Sequence, residues 1–155
     1  MKSVRQVGEG NGADRDAAEQ DGLIDALVQA SFRTMAVLSR VAAEHDLSLT
    51  QFRVLAILRD RRLRMAALAD YLGLEKSTMT GLVDRAEKRA LLVRAPSASD
   101  GRSVDVYLSA EGRELAERVS AEVARSLSPM TRALAPAERQ TLQLVLEHML
   151  AGGGS

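Results

Sequence analysis

Leu74-Glu75-Lys76-Ser77-Thr78-Met79-Thr80-Gly81-Leu82-Val83-Asp84-Arg85-Ala86-Glu87-Lys88-Arg89 is the stretch on which the fold turns. Met79, Leu82, Val83, Ala86 and, just beyond, Ala90 recur at helical spacing and make a single apolar stripe. Burying that stripe leaves Lys76, Ser77, Thr80, Gly81, Asp84, Arg85 and Lys88 on the outer side. Ser77 or a near neighbour is expected to open the helix. Upstream, Met65, Leu68, Ala69 and Leu72 sit at i, i+3, i+4 and i+7, and Gly73 is placed to stop that shorter helix in a left-handed conformation. Two helices this close have the form of a helix-turn-helix, whose second helix lies in a DNA major groove. Ser77, Thr78 and Thr80 can donate to phosphates or base edges, and free N–H groups at a helix start favour phosphate. Arg85 and Lys88 suit phosphates, and an arginine also fits guanine O6 and N7. Taken alone, the helix also reads as a plain amphipathic surface helix with capping Ser and Thr.

The segment after that helix decides between the two. Leu91-Leu92-Val93-Arg94 reads as a strand, and Val104, Val106 and Leu108 alternate with Asp105 and Tyr107 as a second strand with one buried face. The turn formers from Pro96 to Arg102 lie between them. The product is a hairpin with a basic tip, a wing. An arginine such as Arg102 on that tip can reach a narrow minor groove. Asp100 can accept from the Arg102 guanidinium or from loop amides. The bland alternative is a surface hairpin with an Asp–Arg pair of little energetic weight.

Outward from this centre, Leu23, Leu27, Ala30, Met35, Leu38 and Val41 predict a long first helix over 23–43. Ser48-Leu49-Thr50-Gln51 has the form of a capping box, opening a helix to about Arg59 with Phe52, Leu55 and Leu58 on one face. Asp60 to Arg64 reads as a charged connection. Ser109 caps a further helix carrying Leu115, Val119, Val123 and Leu127, which Pro129 breaks or ends. Pro136 starts the last helix, with Leu142, Val145, Leu146, Met149 and Leu150. The expected fold class is mainly α with a small β-hairpin wing. It divides into a tail over 1–20, a dimerisation helix over 21–46, a winged helix-turn-helix over 47–110, C-terminal dimerisation helices over 111–150 and a tail over 151–155.

Net charge is zero, which at first argues against a nucleic-acid partner, but its distribution does not. Residues 53–102 carry a net +5 and the remainder −5, so a basic middle sits between acidic ends. With no Cys, disulfides, thiol sensing and zinc–thiolate sites are excluded, and a total of two histidines, His45 and His148, argues against a metal centre. No cofactor and no metal are expected. The longest apolar runs fall far short of a membrane span, and no secretory signal is visible, so a cytoplasmic location is expected. No nucleophilic Cys, Gly-rich phosphate loop or His-Glu-x-x-His occurs, and no catalytic residue is assigned.

Residues 74–89 resemble the recognition-helix signature of MarR-family regulators. Ser99-Asp100-Gly101-Arg102-Ser103, continued through Leu108-Ser109-Ala110-Glu111-Gly112, is similar to that family's wing signature, and Leu49-Thr50-Gln51-Phe52-Arg53-Val54-Leu55 to its second helix. The likeness covers roughly residues 23 to 150. It implies an obligate homodimer with first and last helices interleaved, a pseudopalindromic double-stranded operator and, commonly, release by a small, often aromatic, effector. The candidate DNA contacts are then Lys76, Ser77, Thr78, Thr80, Gly81, Arg85 and Lys88 on the helix, and Arg94, Ser99, Asp100, Arg102 and Ser103 on the wing. Gly81 stands where the family often has Arg, and Ala90 where it usually has Gly; a different helix stop, or mild strain, is expected at Ala90. Phe32, Met35, His45 and Arg53 are candidate effector-pocket residues, with core or dimer contacts the alternative for Phe32 and Met35. The rival function is a helical dimer that binds proteins without DNA.

Overall fold

The computed structural model describes residues 10–152. In chain order it runs α1 (Gly10–Glu44), α2 (Leu49–Leu58), β1 (Leu63–Arg64), α3 (Met65–Leu72), α4 (Lys76–Lys88), β2 (Leu92–Pro96), β3 (Val104–Leu108), α5 (Ala110–Thr131) and α6 (Pro136–Gly152). The winged helix-turn-helix order expected from the sequence is present. The chain divides into two compact units, one ending at Ala36 and one beginning at Val37.

In the first unit, α1 carries Leu23, Ile24, Leu27, Val28, Phe32 and Met35, all exposed. The reading of 1–20 as a tail is corrected for 10–20, which are helical. Ala13, Ala17, Ala18, Glu19 and Gln20 are strong helix formers, so the helix can extend backward without burying anything. The rest of that tail, and residues 153–155 of the closing one, lie outside the described residues.

In the second unit the core joins Val41 at the end of α1 to Val54, Leu55 and Leu58 of α2, Leu68 of α3 and Met79, Leu82, Val83 and Ala86 of α4. Val106 and Leu108 of β3 and Leu115, Ala116 and Val119 of α5 complete it. The Ser48 hydroxyl accepts from the Gln51 amide at 3.1 Å while the Gln51 side chain accepts from the Ser48 amide at 2.9 Å, the expected capping box.

The sheet has three strands in the order β1-β3-β2, all antiparallel, with Leu63 opposite Val106 and Val93 opposite Tyr107. β1 lies inside the segment read as a plain connection; two residues are too few for an alternation to be visible. Val104, expected on the buried face, is 40% exposed because it pairs with Pro96 at the end of the ladder, beyond the helices. Pro96 is tolerated there because β2 is an edge strand.

The helix expected to open at Ser77 or a near neighbour starts at Lys76, and Glu75 before it makes no side-chain cap. Two further features differ from expectation. Ala90 lies outside the apolar stripe, exposed and at φ 56°. Pro129 sits inside α5, two residues before its last residue, Thr131.

Helix ends close alike at three places. The amides of Leu47, Leu74 and Leu91 reach back to the carbonyls of Ala42, Ala69 and Ala86 at 2.8, 3.0 and 2.9 Å. Each closure needs a left-handed residue, supplied by Asp46 (φ 54°), Gly73 (φ 64°) and Ala90 (φ 56°). Only Gly73 takes that conformation without a Cβ penalty.

Candidate nucleic-acid interface

The outer side of α4 is open. Lys76, Ser77, Thr78, Arg85 and Lys88 are exposed, and Thr80, Gly81 and Asp84 are half-buried, while Met79, Leu82, Val83 and Ala86 hold the helix down. With Glu75 making no side-chain cap, the first amides of α4 keep free donors pointing out of the helix start. Thr80 donates its hydroxyl to the Lys76 carbonyl one turn back at 2.9 Å. Gly81 is not enforced by crowding: a β-carbon there would meet only the Arg85 guanidinium, at 3.5 Å.

The wing tip is shaped by Asp100. Its carboxylate accepts from the Arg102 amide at 3.1 Å and from the Ser103 hydroxyl at 2.9 Å, and the Ser103 amide donates to its carbonyl at 2.9 Å. The Arg102 amide, then the Ser103 hydroxyl, hold the Asp100 carboxyl below the usual carboxylate range. The partner is thus the Arg102 backbone; the guanidinium itself is exposed. Ser99 accepts from Arg64 of β1 at 2.9 Å and shares a hydrogen bond with Ser97 at 3.1 Å. Arg64 is missed by a reading that takes residues 60–64 as a charged connection. Its one signal in the sequence is the Arg62-Leu63-Arg64 alternation.

Arg94 behaves differently from the other wing candidates. Its guanidinium lies 2.7 Å from Asp84 and 2.7 Å from Glu87 of α4, and its amide donates to Glu87 at 3.0 Å. The Glu87 hydrogen bond raises its pKa further. Arg94 therefore ties the hairpin to α4.

Between α3, α4 and the wing lies a cleft of about 590 Å³. Arg64, Lys76, Arg94 and Arg102 line it against a single acidic residue, Asp70. An elongated anion passing α4 and the wing would meet these cations from both sides.

The four effector-pocket candidates fall in separate units. Phe32 and Met35 are 68% and 46% exposed in the first. In the second, His45 Nε2 lies 2.9 Å from Glu122 of α5, a contact that lowers the Glu122 carboxyl pKa. Arg53 donates to the Tyr71 carbonyl at 3.3 Å, near the end of α3. Arg89, which the sequence does not single out, donates to the carbonyls of Asp46 and His45 at 2.6 and 3.2 Å and anchors the end of α4. Among the described residues no group of His, Asp and Glu is placed to hold a metal, and no helix is long and apolar enough to cross a membrane.

A MarR family model matches residues 45–103, the span from the end of α1 to the wing. The homoprotocatechuate degradative operon repressor of Escherichia coli is 26% identical over 136 residues, covering 87% of this chain and 92% of that protein. The HTH-type transcriptional regulator PecS of Dickeya dadantii (strain 3937) is 33% identical over 104 residues, 64% of this chain and 63% of PecS. Among solved structures, RV1404 from Mycobacterium tuberculosis is 30% identical with a TM-score of 0.72, covering 87% of this chain and 94% of that one.

Proposed function

The chain belongs to the MarR family of winged-helix regulators, and from that premise we propose that it binds double-stranded operator DNA as a homodimer and represses transcription until a small effector releases it. One observation carries the reading: the uncapped, polar start of α4 and the cationic wing tip flank one cleft lined by Arg64, Lys76, Arg94 and Arg102. A major-groove helix beside a minor-groove arginine is a two-groove grip on a duplex. Lys76, Ser77, Thr78, Arg85, Lys88 and Arg102 make the contacts; Ser99, Asp100 and Ser103 hold the wing in shape for them.

The homodimer is supported by hydrocarbon. Leu142, Leu144, Val145, Leu146, Met149 and Leu150 of α6 are 41–80% exposed, and α6 buries no residue in its own chain. So much exposed apolar surface on one helix marks an interface. Two-fold pairing places two recognition helices about one DNA turn apart, ~34 Å, and calls for a pseudopalindrome. The effector reading leans on the E. coli relative, whose name ties it to an operon for homoprotocatechuate degradation. An effector that shifts the spacing of the two helices releases one half-site. The dimer works in the cytoplasm.

Selection of bound duplexes from a random pool, with titration of the selected duplex at several salt concentrations, tests this. Affinity is expected to fall steeply with salt, since each phosphate contact releases counterion. Absence of any duplex binding, with an intact dimer, would point to the protein-interaction reading instead.

A further inference from the structure

A second concentration of cations lies away from that interface. A depression of about 330 Å³ is lined by Arg59, Arg61, Arg62 and Arg113, with Asp60 as its only acidic residue and Tyr107 on its wall. It shares no lining residue with the cleft beside α4. Tyr107 is five residues along the chain from Arg102, which limits the separation of their backbones to about 17 Å.

The arginines are held there by the fold. Arg62 and Arg64 flank Leu63, which turns inward to pair opposite Val106, so Arg62 emerges on the outer face of the sheet. Its guanidinium rests 3.9 Å above the Tyr107 ring, which fixes its orientation and leaves its edge free. Arg113 stands in the first turns of α5, whose position is set by the contact of Gly112 with Leu91. Arg61 is paired at 3.2 Å with Asp60, and Arg59 donates to Ser120 at 2.9 Å. Among the described residues no carboxylate lies within salt-bridge distance of Arg62 or Arg113.

Gathering four guanidinium groups around one carboxylate raises a positive potential that an oxyanion would lower. Guanidinium forks match phosphate oxygens in pairs, which an ammonium does not do. We infer that this depression is an anion site for a small, multiply charged phosphate compound, held between Arg61, Arg62 and Arg113. Such a ligand would bind outside the cleft beside α4.

The test uses inorganic pyrophosphate and the full chain. Titration calorimetry is expected to give saturable binding that falls at least tenfold in Arg62→Ala/Arg113→Ala. Thermal unfolding of the ligand-free variant checks its folding, and Arg62→Lys alone is expected to retain part of the affinity. Equal pyrophosphate binding by wild type and double variant would overturn the site, as would no binding by wild type. In a parallel arm, the double variant is expected to bind duplex DNA as wild type does. Loss of duplex binding in the variant would make these arginines backbone contacts to DNA and overturn the small-anion assignment. Failure of duplex binding in wild type would count against the proposed function and leave the pyrophosphate result to be read separately.

Discussion

Gly112 stands so close to Leu91 that a β-carbon on it would lie 2.0 Å from the Leu91 carbonyl oxygen. The Ser109 amide donates to that same carbonyl at 3.1 Å, and the Ser109 hydroxyl donates to the Ala90 carbonyl. The start of α5 is thereby seated on the backbone that links α4 to the wing. Gly112→Ala must push the two apart, so a loss of about 1–3 kcal/mol is expected in urea unfolding, as for overpacked cores. An unchanged midpoint would show that the two segments move freely past each other.

Ala90 invites the opposite change. Its φ of 56° carries a β-carbon penalty that glycine lacks. Ala90→Gly is expected to add about 0.5–1 kcal/mol and raise Tm by a few degrees, since the relieved strain outweighs the added freedom of the unfolded chain. Scanning calorimetry decides it, and a lower Tm would contradict the account.

Arg94 and Arg102 are expected to fail in different ways. Arg94 is clamped between Asp84 and Glu87, so Arg94→Ala costs about 1 kcal/mol of stability by leaving two half-buried carboxylates without their partner. Arg102→Ala, at an exposed tip, is expected to leave unfolding unchanged and to weaken operator binding and its salt dependence together. Paired unfolding and DNA-shift measurements separate the two. Equal DNA affinity after Arg102→Ala would make the wing irrelevant to binding.

Asp100 gives the wing a pH dependence whose sign is set by its hydrogen bonds. Its folded-state pKa is lowered, first by the Arg102 amide and then by Ser103. The stabilisation is therefore whole above the unfolded-state value, about 3.9, and lost as pH falls through the lower folded one. NMR titration is expected to show the Arg102 and Ser103 amides shifting below about pH 4, with the midpoint rising in Ser103→Ala. A midpoint above the ordinary carboxylate value would reverse the argument.

Much of the fold is legible in the sequence because the apolar periodicities are long and clean. The stripe of α4, the Ser48 capping box, Gly73 as a left-handed stop and Pro136 at the start of α6 each arise from local chemistry. The features that escape depend on residues distant in sequence. β1 exists only because β3 is there to pair with it. Arg94 reads as a free cation until the hairpin folds back on Glu87. The left-handed stop at Asp46 lacks the glycine that gives Gly73 away, and the one at Ala90 is anticipated only through the glycine usual in the family it resembles. The candidate DNA-contacting face is readable as a face, but not the division of labour within it between grip and scaffold.

The bare hydrocarbon along α6 has a consequence for how such a chain is handled. A helix that buries no side chain in its own chain owes its persistence to company, so its melting should track protomer concentration through mass action. Dilution alone should then fray the C-terminal end well before the winged lobe yields.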